Sequence, residues 1–558
     1  MTIWKCSRFR SATPTRFARA CFSLWDARPR EARGRGTKLR LLYYMGIACV
    51  LLRFNPPPAC AADKPKAGTR AAAVRKVADR VDERIAARYS AAGIEPSPRS
   101  DDAEFFRRVS LHLSGSIPPV SDVRTFLADG AADKRETAID RLLARPSYVR
   151  HFATIWRRAW LPDADIDPQV QTFAPSLEAW LRQQLVDDRR YDELVRELLS
   201  VPVAKTAAAS QLAMNDGLSG PLSFLLAREA KPENLAAGVS RSFLGVRLDC
   251  AQCHDHPYDL WKREQFWSFA AFFAGLERGG GNQLTLAGGL YEVSDRRELM
   301  IPETNRLAAA VFLDGSEPKW RTQSGRQLLA NWITARDNPY FAKAAVNRLW
   351  GHLFGIGLVD PVDDFSTANA PSHPELLDEL TAAFIERNFD VKFLLKSLLM
   401  SDTYQRTSRQ FSEDLPPALY ASFAVQGLSA EELVRSLTLI LGADQSPEEL
   451  ALRFSRASES PTQRQMMILQ ALTMMNGFAT ARAIDADQGA LLAAVIDFPG
   501  QTPAECVETL FVATLSRLPS GMESQRCVQS VETANDSRRG LGDVLWALLN
   551  SAEFGCNH

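Results

Sequence analysis

The stretch Cys250-Ala251-Gln252-Cys253-His254 sets two thiols three positions apart with an imidazole directly after the second, the spacing by which c-type heme is attached. Thiols so placed can each add to one vinyl group of a single porphyrin, and the adjacent imidazole then lies beneath the iron as proximal ligand. With 9 Cys and 7 His in 558 residues, chance supplies this pattern about 0.002 times per chain, so the spacing is not accidental. Three other chemistries use the same residues and stay open at this level: a Cys250–Cys253 disulfide, a zinc site of two thiolates with His254 or His256, and a redox dithiol. The zinc reading lacks a second ligand pair, because Cys506, Cys527 and Cys556 are scattered far downstream. His256 stands too close to His254 to take the opposite face of the same iron, which leaves Met300, His352 and His373 as candidates for that position.

Other residues with chemical capacity are fewer. Arg348 and His352 share a helix face at i, i+4. They form either an anion-binding or catalytic cluster near the loop Gly355-Ile356-Gly357, or a structural one in which Arg348 pairs with Asp363 or Asp364. Ser372 is expected to cap a helix beginning at Pro374, with Glu375 in its first turn. No Gly-rich loop carries the Lys and following helix that a nucleotide phosphate needs. Gly217-Leu218-Ser219-Gly220 is one residue short of a hydrolase nucleophile elbow.

The elements that must position these residues are mostly helical. Apolar residues recur at helical spacing from Asp101 through Leu111, and Pro118-Pro119 breaks that element. Ser121-Asp122 is expected to cap the next helix. Further helices are expected at about 133–144, 147–160, 174–187, 191–201 and 232–246. The apolar faces Leu235, Val239, Phe243, Val246 and Phe266, Phe269, Phe273, Leu276 flank the Cys-His motif. Between 277 and 323 the texture changes to Gly-rich loops with short strands expected at 290–293 and 310–313. Helices resume at about 324–335, 341–354, 374–388, 391–402 and from Ser429 onward. The reading is a mainly α fold in two helical halves joined by a Gly-rich region with a few short β-strands. Its parts are a signal and N-terminal extension (1–62), a leader and first helix (63–99, flexible over 63–72), a helical domain carrying the Cys-His motif (100–276), a linker (277–323) and a second helical domain (324–558). Helices at 502–516 and 521–534 should form an antiparallel hairpin that brings Cys506 and Cys527 to similar heights, so a bridge between them is geometrically open.

Composition sets the outer limits. Apolar residues make up 46% and charged residues 24% of the chain, ordinary globular values that exclude fibrous and wholly disordered classes. The zero net charge hides an asymmetry: residues 1–62 carry 12 Lys/Arg against Asp26 and Glu31, leaving a mildly acidic body. Such a body has no field for nucleic acid. The basic flank Lys38, Arg40, the apolar run Leu41–Leu52, the breaker Pro56-Pro57-Pro58 and Ala59-Cys60-Ala61 read as a secretory signal with the mature chain starting at Ala62. The run is too short to span a bilayer, which takes about 20 residues. The expectation is an exported protein of the periplasm or cell surface with no transmembrane segment in its mature part.

Several segments together resemble a known pairing. Phe106-Arg107-Arg108-Val109, Leu113-Ser114-Gly115, Asp140-Arg141-Leu142-Leu143 and Phe243-Leu244-Gly245-Val246 followed by Cys250 through Pro257 are similar to the planctomycete cytochrome-associated domain of unknown function 1549. Asn338-Pro339-Tyr340-Phe341-Ala342, Val346 through Val359, Pro371-Ser372-His373-Pro374 and Trp546 through Phe554 resemble its usual companion, domain of unknown function 1553. The resemblance implies an exported protein, sometimes linked to cytochrome-c-like or carbohydrate-binding modules and to a neighbouring secreted partner, with no assigned reaction. This chain departs from the pattern at His112, where the family usually has Asp. The leading expectation is therefore covalent heme c held by Cys250, Cys253 and His254 in a protein that transfers electrons to an unidentified redox partner. The alternative is a non-redox secreted binding or scaffold protein linked to extracellular polysaccharide, whose cysteines form a disulfide or a zinc clasp. Whether the protein is an enzyme is left open.

Overall fold

The computed structural model describes residues 67–204, 220–278, 289–293, 295–409, 416–442 and 468–558. The signal segment, the Gly-rich 279–288 stretch and Ser219 lie outside the described residues. Every described residue falls in one compact unit, Ala67–His558.

Helix starts follow local capping chemistry. The first helix, α1 (Ala67–Ala91), already covers most of the segment read as a flexible leader. In α2 (Asp102–Ser114) the Asp101 carboxylate accepts the Glu104 amide at 2.8 Å, and Gly115 at φ +68° closes the far end, the left-handed conformation glycine adopts most cheaply. The next helix, α3 (Val120–Ala128), starts one residue before Ser121: Pro119, extended at its boundary, fixes the start, and no side chain caps it. Then come α4 (Lys134–Leu143), α5 (Pro146–Trp160), α6 (Ala174–Val186), α7 (Tyr191–Ser200), α8 (Gly220–Ala227) and α9 (Pro232–Val239), the last continuing through a π-helical turn at Ser240–Leu244. Helix α10 (Arg263–Ala270) leads to two small antiparallel ladders, β1 (Leu276–Arg278) with β2 (Leu290–Glu292), and β3 (Glu298–Met300) with β4 (Leu307–Ala309). The apolar run 310–313 is not a strand: it leaves the ladder after Ala309, buries Ala310 and Leu313, and stacks Phe312 between Phe272 and Trp332. Packing takes those side chains where an edge strand would leave half of them in water.

The remaining helices are α11 (Gly325–Ile333), α12 (Phe341–Phe354), α13 (Pro374–Glu386), α14 (Val391–Leu399), α15 (Ala430–Leu441), α16 (Ile468–Asn476), α17 (Phe478–Ala483), α18 (Ala490–Asp497), α19 (Pro503–Leu515), α20 (Gly521–Thr533) and α21 (Ser537–Leu549). Strand β5 (Gln426–Gly427) pairs with β6 (Cys556–Asn557). Reciprocal Ser/Thr and Glu/Gln caps begin α11, α15, α19 and α20. The fold is mainly helical, as expected. One apolar core gathers residues from Val74 to Phe423 together with Val512, and draws them from both sides of the 277–323 segment. A second gathers Leu111 and Ile117 with residues 433–554.

Candidate functional site

The Cys-His motif sits on a loop slung between two buried supports. Upstream, α9 and its π turn end at Gly245, φ +68°, where an added Cβ would meet the Phe365 ring at 2.6 Å. Leu248 and Ala251 are buried and pin a single 3₁₀ turn, Asp249–Gln252. Downstream, the first turns of α10 grip the loop from below. Both the Trp267 indole N–H (3.0 Å) and Arg263 Nε (3.4 Å) donate to the Gln252 carbonyl, between the two cysteines. With that backbone fixed, Cys250 and Cys253 both face solvent as free thiols.

The two imidazoles beside them carry opposite tautomers. His254 Nδ1 lies 2.8 Å from the Asp255 carbonyl oxygen; a carbonyl only accepts, so Nδ1 holds the proton and Nε2 keeps its lone pair. His256 Nδ1 accepts the Tyr258 amide at 3.3 Å, so in the neutral ring the proton sits on Nε2. Only His254 is thus prepared as an iron ligand through Nε2, with the N–H to carbonyl bond that orients ligating histidines. Unpaired solvent-facing thiols and this tautomer fit a covalently held heme. The zinc alternative has less to draw on: among the described residues no three His, Cys, Asp or Glu side chains gather as a metal site.

The segment after the motif is bonded throughout. The Asp255 carboxylate takes Lys262 Nζ at 2.9 Å and the Arg263 amide at 3.1 Å, and the Lys262 bond holds its pKa below the usual carboxylate value. The His256 amide donates to the Trp261 carbonyl at 2.8 Å, closing the turn. Behind the loop, Asp363 takes Arg241 Nε and Arg247 Nη2, each at 2.5 Å. Burial pushes the Asp363 carboxyl up, but the Arg241 and Arg247 bonds outweigh it and hold it low. The Phe365 amide donates to the Gly245 carbonyl at 2.8 Å.

These contacts correct the expected role of Arg348. Its guanidinium reaches the Ser242 and Arg241 carbonyls at 2.5 and 3.4 Å, stitching the π turn, while Asp363 is taken by Arg241 and Arg247. The following loop is held instead by Asn347, whose amide donates to the Val359 carbonyl and accepts the Val359 amide. Nor does Ser372 cap α13: its hydroxyl donates to the Leu358 carbonyl, and His373 occupies the boundary without a side-chain cap. The candidates for the second iron face also part company. Met300 is exposed on β3, whereas His373 is buried and His352 Nε2 donates to the His112 carbonyl at 3.0 Å. Cys506 Sγ contacts the Val495 carbonyl and the Gln501 side chain, and Cys506 and Cys527 are separate free thiols although their helices pack together.

A second cluster escaped the sequence reading. His112, His151 and His352 converge with ring centroids 5.5 and 5.8 Å apart. They come from α2, α5 and α12, widely separated in sequence, so only the fold reveals them. His112 contacts the Tyr404 hydroxyl and Asn557, while Arg435 donates to His151 Nδ1. Burial drives the His112 and His151 pKa values far down.

Residues 80–278 match the family PSCyt2, protein of unknown function (DUF1549), and residues 325–450 match PSD1, protein of unknown function (DUF1553). No curated protein and no solved structure matches the chain.

Proposed function

We propose that this chain, a DUF1549 domain followed by a DUF1553 domain, is an exported c-type heme protein that carries electrons outside the cytoplasm, with Cys250 and Cys253 as anchors and His254 as axial ligand. The observation that carries the reading is the pairing of two unpaired, solvent-facing thiols with a histidine whose Nδ1–H is spent on a carbonyl. Each cysteine adds its S–H across one vinyl group, sulfur to the carbon beside the ring and hydrogen to the terminal carbon, so a thioether forms without loss of atoms. When bound, such a group supplies one-electron redox chemistry tuned by its axial ligand and its exposure. The protein's own part is to hold the loop: Trp267 and Arg263 fix the carbonyl between the thiols, and the Asp255 carbonyl sets the His254 tautomer. The basic-then-apolar leader supports export, and export supports heme attachment, which takes place outside the reducing cytoplasm.

Expression with a cytochrome maturation system tests this directly. The expected product is red, shows a Soret band, and retains the mass of one heme after denaturation. A colourless product with both thiols alkylatable would overturn the reading and favour the non-redox secreted scaffold.

A further inference from the structure

Tyr258 and Leu260 stand 79% and 75% exposed, among the highest values of any large apolar side chain in the described residues. They do not sit on a loose loop. The turn carrying them is closed by the His256 amide on the Trp261 carbonyl and tightened by the Tyr258 amide on His256 Nδ1. The Leu260 amide bonds the Asp259 carboxylate at 2.8 Å, and the Asp259 carboxylate also takes the Thr367 hydroxyl at 3.2 Å. Trp261, next in the chain, packs against the main core. The turn therefore spends backbone bonds and one inward aromatic to hold two apolar side chains out in water. Water is a poor neighbour for both, and a fixed loop that presents them is built for something that covers them.

One occupant stands close by in the chain. Tyr258 is five residues from Cys253, at most about 18 Å away even along a fully extended chain. The motif and the turn also share one support, since Arg263 bonds Gln252 through its side chain and Asp255 through its amide. A flat apolar ring tethered at Cys250 and Cys253 lies within reach of both side chains. We infer that Tyr258 and Leu260 form the apolar lip of the heme site, lying against the porphyrin and shielding it from water. This rests on the reading of Cys250–His254 as an attachment site. An aromatic and a branched aliphatic suit the task, for a π-face prefers ring contact and the aliphatic fills the remaining edge without adding a polar group.

The test uses the full exported chain made with a cytochrome maturation system, beside the Cys250→Ser/Cys253→Ser form that takes no heme. Both are treated with tetranitromethane and Tyr258 is followed by peptide mapping. The expected result is nitration at Tyr258 in the heme-free form and its loss in the loaded one. A second measurement compares loaded wild type with loaded Tyr258→Ala/Leu260→Ala: both should carry one covalent heme, and the variant should show a lower midpoint potential because a wetter site favours the more highly charged oxidised iron. Equal nitration with and without heme, or equal potentials in the two loaded proteins, would overturn the lip while leaving heme attachment standing. A wild-type chain that takes no heme at all would overturn the attachment site, and the lip with it.

Discussion

His254 and His256 differ by two positions and by one proton's location, and that difference decides what each can do. His254→Ala should leave any attached heme high-spin or labile in its absorption spectrum, because of these two imidazoles it is the one with its lone pair on Nε2 that is gone. His256→Ala should keep one covalent heme by mass and a near-normal spectrum, since its Nδ1 serves the Tyr258 amide. Equal loss in both would assign the two imidazoles a shared metal. At this scale the sequence was legible where chemistry is local. The Cys-His spacing is readable because five consecutive residues carry it. The Arg348 partner could not be read, since an arginine with five donors pairs wherever the fold brings acceptors, and here these are the carbonyls of a π turn more than a hundred positions upstream.

At the scale of elements, helices were legible because their apolar period and their caps lie within a few residues of one another, as in Asp101 and Glu104 or Ser520 and Glu523. What failed were ends and edges decided by tertiary partners, as with Ser372, whose hydroxyl was claimed by Leu358. The element that matters most for the site is the π turn and its glycine. Gly245→Ala would place a methyl in the Phe365 ring at a left-handed backbone position, a combination that should cost about 1–3 kcal/mol. Thermal unfolding should register the loss, and Cys250 and Cys253 should react with maleimide at altered relative rates as the loop shifts. Trp267→Phe removes a single donor to the Gln252 carbonyl while keeping an aromatic ring in the core, so it should cost about 1 kcal/mol and lower the yield of heme attachment more than it lowers stability.

Across the whole molecule, the second core is joined to the first by a seam rich in polar groups. Ion pairs and hydrogen bonds cross it at Arg158–Glu431, Arg435–His151 and His112–Asn557. Around the histidines stand Arg108, Arg158 and Arg435 against Glu432, whose Oε1 is 3.9 Å from His151 Nε2. Burial holds His112 and His151 far below their ordinary value and pushes His373 down to about 4. These groups stay neutral when folded but take up protons near pH 6.5 when unfolded. Their contribution is therefore present above about pH 6.5 and lost as pH falls, each with a slope approaching 1.4 kcal/mol per pH unit. Urea unfolding should give a smaller free energy at pH 5 than at pH 7, and His151→Gln should flatten that dependence; an unchanged slope would remove the cluster from the account. Arg108, fully buried, bonds the Tyr404, Arg406 and His558 carbonyls and pairs with Glu104 at 2.5 Å. Arg108→Met would take the counter-charge from that buried carboxylate, leaving it the Thr407 hydroxyl and the Ser408 amide, and should destabilise by about 3 kcal/mol in the same assay. Its neighbour Arg107 reaches the carbonyls of Thr514, Glu553, Phe554 and Cys556. The Arg107 partners thus lie more than four hundred residues after it, and the Arg108 carbonyl partners 296, 298 and 450 positions after it. As the ribosome delivers the chain, Arg108 has Glu104 on its own helix, but Arg107 waits for the carbonyls of Thr514, Glu553, Phe554 and Cys556, so its end of the core settles late in synthesis. A chain built this way stays open longer than one whose buried charges find their partners nearby.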